Sequence, residues 1–282
     1  MSDASGRVSA QDITRAAARV LDEGSPAALA TIVEAPRAVG ASGAFVRVGA
    51  KVLLEESGAR TGSTGDAALD ESLSTYFRTF LGSHAEARTF TLEEVAPGRE
   101  ELRGGRVLFE RVETEPRVVV CGAGHVGAAL ARLAHAVGYQ VTLLDDRADF
   151  VTRERFPEES VELVAAGAGW TEAVKRAVGA GRGVYVAVVT RGHNEDEECM
   201  KAVLAARPRY VGMIGSRRRT NIVLARLREA GFDAEELRRV RAPIGLDLGA
   251  VSPEEVALSV IAEIVAERRG GTGAPLSAWR RE

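Results

Sequence analysis

The apolar residues of this chain follow two different rhythms. In the first part they come in short pieces, broken by Gly40, Gly43, Gly49, Gly58, Gly62 and Gly65. Helical spacing predicts a helix over 10–21, and β-branched runs predict strands over 28–33, 45–48 and 51–54, the last two joined near Gly49. Glu56, Ser57 and Gly58 read as a turn. A helix over 66–81 covers these pieces, and two further strands lie near 88–94 and 106–112. Together they predict a small α/β or α+β domain, ending in a linker at Thr114, Glu115 and Pro116.

From residue 117 onward, short apolar runs alternate with helical stretches. Val118, Val119 and Val120 suit a strand buried on both faces. Val126, Ala129, Leu130, Leu133, Ala134 and Val137 then recur at helical spacing, and Gly138 stands where such a helix stops. Strands follow over 140–144, 161–165, 184–189 and 210–214, with helical segments between them. Five parallel strands joined by helices make a doubly wound, Rossmann-type α/β sheet. Ser252 as N-cap, Pro253 at the first helical position and Glu255 completing a capping box start a last long helix, which Arg268, Arg269 and Gly270 end. The expected organisation is therefore a domain over 1–115, a second over 116–270 and a loose tail over 271–282.

Composition narrows the class. The 282 residues suffice for two domains at roughly 150 residues each. A hydrophobic share of 45%, a charged share of 27% and a net charge of -3 describe a soluble globular protein with no general pull toward nucleic acid. Cys121, in an expected buried strand, and Cys199, in an expected helix, make no disulfide framework, which fits a reducing compartment. The amino terminus lacks the apolar core of a signal peptide, and the most apolar helical stretch, 256–265, is short and carries Glu263. A cytoplasmic protein without a membrane or nucleic-acid partner is expected.

The chemistry gathers at the carboxyl ends of the expected parallel strands. Gly122, Gly124 and Gly127 form GxGxxG after the first strand: one glycine for the tight turn, one for close approach of a pyrophosphate, one for helix packing. His125 lies inside this fingerprint. Asp145 and Asp146 end the next strand, Asp145 standing 18 positions after Gly127, where an acid that holds a ribose hydroxyl is expected. After the fifth strand come Gly215, Ser216, Arg217, Arg218 and Arg219. Three cations in the first turn of a helix oppose its dipole, and a bound anion reverses that balance. The alternative is pairing with acids such as Asp145, Asp146 or Glu195. His193 and Asp196 follow the fourth strand and could position a phosphate, a pterin or a metal; equally, 195–198 are acids that complement a helix start with no further role. No second histidine or cysteine lies at ligand spacing, so no metal site is expected. Cys121 reads as a core residue, and no Ser/His/Asp arrangement or GxSxG elbow is present.

These stretches, Cys121 to Gly127, Leu143 to Arg147, Thr190 to His193, Gly212 to Arg218 and Ala242 to Gly249, together resemble the xanthine dehydrogenase accessory protein family, XdhC/CoxI. The resemblance covers 117–269 strongly and 28–73 more weakly. It implies a maturation factor for molybdenum hydroxylases that holds molybdenum cofactor (molybdopterin), shelters it during sulfuration and delivers it to the apo-enzyme. It further implies a homodimer that meets a cysteine desulfurase and xanthine dehydrogenase-like subunits. Many relatives carry a glycine-rich stretch ending in a cysteine where this chain has 62–70, with Ala68 near the place of that thiol. NAD satisfies the same glycine fingerprint, so an NAD(P)-dependent oxidoreductase, with His125 or His193 as proton donor, and a nucleotide-sensing regulator stand beside the accessory-factor reading.

Overall fold

A computed structural model describes residues 9–36, 46–167, 169–181 and 183–277, apart from the side chain of His193. The chain divides into two compact units, Met1–Thr114 and Glu115–Glu282.

The first unit contains α1 (Ala10–Glu23), β1 (Ala27–Glu34), β2 (Lys51–Glu55), β3 (Arg60–Gly62), α2 (Ala67–Gly82), β4 (Ala87–Thr91), α3 (Leu92–Val95) and β5 (Arg106–Val112). Its strands run in the order β3-β2-β1-β5-β4, every pair antiparallel, so the unit is α+β. Period-two alternation in β1 sends Ala28, Ala30 and Ile32 to the side packed by Leu69, Leu73, Phe77 and Phe80 of α2, while Ala27 meets Val20 of α1 on the other side. Two expectations fail here. Of the strand over 45–48, Phe45 lies outside the described residues, and Val46 to Val48 form no strand. The chain joins β1 only beyond a turn, where Gly49 donates to the Ile32 carbonyl and Ile32 to that of Ala50, leaving Val48 62% exposed. The strand over 88–94 stops at Thr91, because Thr91 and Glu94 close a capping box that starts α3.

The second unit contains β6 (Arg117–Cys121), α4 (His125–Ala136), β7 (Gln140–Asp145), β8 (Val161–Ala165), α5 (Trp170–Val178), β9 (Val184–Val188), α6 (His193–Ala206), β10 (Tyr210–Met213), α7 (Arg217–Glu229), α8 (Ala234–Arg239) and α9 (Pro253–Arg269). The parallel order β10-β9-β6-β7-β8 places the first strand at the centre and reverses direction of travel between β6 and β9, which is the doubly wound pattern with its crevice at that switch point. Val118 and Val120 face α4 and α9; Val119 and Cys121 face α5, α6 and α7.

Of the expected stripe of α4, Leu130 and Ala134 are buried and Val126, Ala129 and Leu133 pack against the same core, with the small Gly127, Ala128 and Ala131 buried beside them; Val137 alone leaves it, capping the helix and 54% exposed. Residues of α4 and α9 share this core. Both cysteines are free and completely buried in the same core; burial, with the neighbouring Cys121, pushes the Cys199 thiol well above its ordinary range. Among the described residues no helix is long and apolar enough to cross a membrane.

Candidate functional site

A cleft of roughly 470 Å³ opens at the carboxyl ends of β6, β7 and β9, lined by residues of all the loops that follow them. Its first wall is the glycine turn. Gly122 has φ +115°, and a Cβ there would meet the Val189 carbonyl oxygen at 2.6 Å; a Cβ on Gly127 would stand 1.7 Å from the Gly122 carbonyl oxygen. These two glycines let turn, strand and helix close on one another. Gly124 differs, since a Cβ there would meet no atom within 4 Å, and Gly124 caps α4 without a side-chain hydrogen bond. The turn therefore brings a bare helix N-terminus to open space, the arrangement that suits a phosphate. His125, the first residue of α4, is exposed and lines the same cleft.

The second wall is built on acids and arginines. Asp145, 2% exposed, accepts from the Ala123 N–H at 2.7 Å, the Arg147 N–H at 3.0 Å, Arg147 Nε at 2.8 Å and Arg147 Nη2 at 3.0 Å. Burial pushes this carboxyl up, but the Arg147 fork and the two backbone donors outweigh it and hold it below the ordinary carboxylate value. Asp146 is shifted the other way, raised by burial and by its neighbour Asp145, although Arg191 Nη2 lies 2.7 Å from it. Arg191 also reaches Glu195 at 3.3 Å. Deeper in, the fully buried Asp196 accepts from Thr190 Oγ1 and from Arg219 Nε at 2.7 Å. Three arginines thus answer four carboxylates, so attraction for an anion falls to the backbone donors of α4 and to exchange of arginine partners.

The sequence-predicted residues distribute as follows. Gly122, Gly124, His125, Asp145, Asp146 and Gly215 line the cleft, with Gly127 packed beneath it. Ser216 caps α7 by accepting from the Arg219 N–H at 3.2 Å. Arg217 and Arg218 are exposed and are not among the cleft residues; the arginine of that run that enters is Arg219. Its partner is Asp196, whereas Asp145 pairs with Arg147, and Asp146 and Glu195 with Arg191. His193 opens α6, and its side chain lies outside the described residues. Sequence reasoning gave Arg147, Arg191 and Trp170 no role of their own, although Arg147 and Arg191 stand in the stretches 143–147 and 190–193 and lie in the loops that follow β7 and β9. No metal-binding cluster of three or more histidine, cysteine or acidic side chains occurs among the described residues.

In the first unit, Ala68 is exposed in the first turn of α2. That turn is fixed by Asp66, which accepts from the Leu69 N–H and forks with Arg99 at 2.9 and 2.6 Å, and by Asp70, which accepts from Ser63 and Thr64. A larger groove of roughly 740 Å³ lies in the second unit at the amino end of β10, around Arg209, Arg238, Arg241 and Glu267. Ligands of open parallel sheets collect at the opposite, carboxyl ends, which makes the smaller cleft the functional candidate.

Three proteins are similar to this chain in sequence. The chain is 28% identical over 262 residues to the uncharacterized protein YqeB of Escherichia coli, covering 91% of this chain and 46% of that protein. It is 28% identical over 163 residues to a probable xanthine dehydrogenase component of Bacillus subtilis, covering 58% of this chain and 46% of that one. Over 75 residues it is 36% identical to the molybdenum cofactor insertion chaperone PaoD of Escherichia coli, which is 27% of this chain and 24% of PaoD. The chain thus spans about half the length of the first two relatives and about a quarter of the third. Residues 118–264, from β6 into α9 and including the whole cleft wall of glycines, acids and arginines, match the XdhC Rossmann domain, and with more than half of its length in that domain the chain belongs to the XdhC family.

Proposed function

We propose that this chain is an accessory factor of molybdenum hydroxylases of the xanthine dehydrogenase type, which binds molybdenum cofactor, shelters it during sulfuration and hands it to the apo-enzyme. The observation that carries the reading is membership of the XdhC family together with the bare α4 N-terminus at Gly124. A relative's name, molybdenum cofactor insertion chaperone, supports it. In this reading the phosphate of the pterin is held by the N–H groups that follow Gly124, with His125 at the rim and Arg191 and Arg219 exchanging acid partners for ligand oxygens. The cofactor's molybdenum chemistry belongs to the client enzyme. This chain's own part is to bind, orient and exclude water.

The partners in this reading are the hydroxylase subunits, a cysteine desulfurase and a second copy of the chain. The test is purification under anaerobic conditions from a molybdate-fed host. Pterin released by oxidation should approach one per chain, and the loaded protein should activate an apo-hydroxylase. Protein that retains no pterin and activates no client sinks the proposal.

A further inference from the structure

In dinucleotide-binding sheets the acid that ends the second strand offers its carboxylate to the ribose diol. Asp145 occupies that position, yet its carboxylate is already spent. Four N–H donors converge on it, and a carboxylate has about four acceptor sites to give. Three of the four come from Arg147. That side chain is anchored a second time, its guanidinium carbon lying 3.4 Å from the centroid of the Phe150 ring, and Arg155 stacks on the same ring at 4.6 Å. Arg155 in turn donates to the Phe150 carbonyl at 2.8 Å and to the Ala123 carbonyl at 3.3 Å, tying the stack to the glycine turn. The other acids of the cleft, Asp146 and Glu195, each take one hydrogen bond from Arg191 and keep acceptor sites open, but neither stands at the position whose carboxylate faces the ribose diol in this fold. The phosphate side of the cleft is treated in the opposite way: Gly124 keeps its space clear and leaves the α4 donors uncapped.

We propose that Arg147 is a specificity-determining residue that closes the cleft to nucleosides, so that the site takes a phosphate monoester and rejects ligands that must place a ribose diol on Asp145. In naming the accepted ligand as the monophosphate form of a pterin, the proposal rests on the reading above; in excluding NAD and pterin dinucleotides it stands on the Asp145 and Arg147 geometry alone. A ribose diol gains its two hydrogen bonds here only by displacing a doubly anchored, charge-assisted fork. Hydrogen bonds to a charged group are worth about ten- to a hundredfold in affinity.

Calorimetric titration of the full chain with NAD and with ADP-ribose tests this. The wild type should show no binding at about millimolar ligand. Arg147→Ala should gain binding by about tenfold or more, and Asp145→Asn combined with Arg147→Ala should lose that gain. Arg147→Lys keeps the cation but not the fork and gives a smaller gain, which preserves the test should the alanine variant fail to fold. Tight binding of NAD or ADP-ribose by the wild type overturns the proposal, as does a folded Arg147→Ala and a folded Arg147→Lys that both remain blind to nucleotide. Pterin retention is a separate measurement: its failure removes the accessory-factor reading and leaves the nucleotide result standing.

Discussion

At Asp145 one buried carboxylate carries the hydrogen bonds of two chain segments, the glycine turn through Ala123 and the start of the next loop through Arg147. Its depressed pKa fixes the sign of a pH effect. A group whose folded pKa lies below its unfolded value contributes stability that is complete above the unfolded value and is lost as pH falls through the folded one. Asp145→Asn should therefore cost about 1–3 kcal/mol at neutral pH, and its gap to the wild type should narrow as pH drops below 3.8 in urea melts. A gap that stays constant down to acid pH would contradict this. The three glycines of the turn separate by the same reasoning. Gly127→Ala forces a Cβ onto a backbone oxygen and should destabilise by about 3 kcal/mol or more. Gly124→Ala, with φ -66° and empty space around it, should leave the melting curve almost unchanged while lowering pterin content. The roles of these glycines are readable in the sequence because spacing alone dictates them. The pairing of Asp145 with Arg147 is not, since two residues of separation fit a salt bridge, a ligand site or neither until the turn is folded.

Among the elements, the helix starts carry the clearest contrast. α9 begins with a complete box, Ser252 accepting from the Glu255 N–H at 3.2 Å and Glu255 accepting from the Ser252 N–H at 2.9 Å, while α4 begins with none. Ser252→Ala should cost about 1 kcal/mol, read as a lowered thermal midpoint, and an unchanged midpoint would show that packing of α9 on α4 alone sets its stability. Such boxes are sequence signals, and the one at Ser252 is legible as it stands. The equivalent signal at Thr91 and Glu94 is outweighed in a reading by β-propensity, because Thr89 and Phe90 precede it; the box ends the strand and starts α3. Similarly, Val46 to Val48 have strand-forming residues but enter no ladder, the chain meeting β1 only from Gly49 onward, and pairing is a property of the fold rather than of the segment. The parallel strands are legible for the opposite reason: burial on both faces makes each a continuous apolar run.

At the scale of the whole molecule, Met1–Thr114 and Glu115–Glu282 each have their own sheet and core. A fragment starting at Glu115 should fold by itself, with a cooperative melt and native near-ultraviolet dichroism; an aggregated or molten fragment would count against separate folding. The second unit also contains both sulfhydryls of the chain, in one core and with no solvent contact. A maleimide reagent therefore has nothing to modify on the native protein, and its rate of reaction becomes a clock for the opening of that core. Ligand in the cleft should slow the clock. In the accessory-factor reading the same concealment bears on sulfur traffic: with both cysteines buried, a desulfurase docking here would find no thiol of this chain on which to leave a persulfide, and its sulfur would have to pass straight to the cargo.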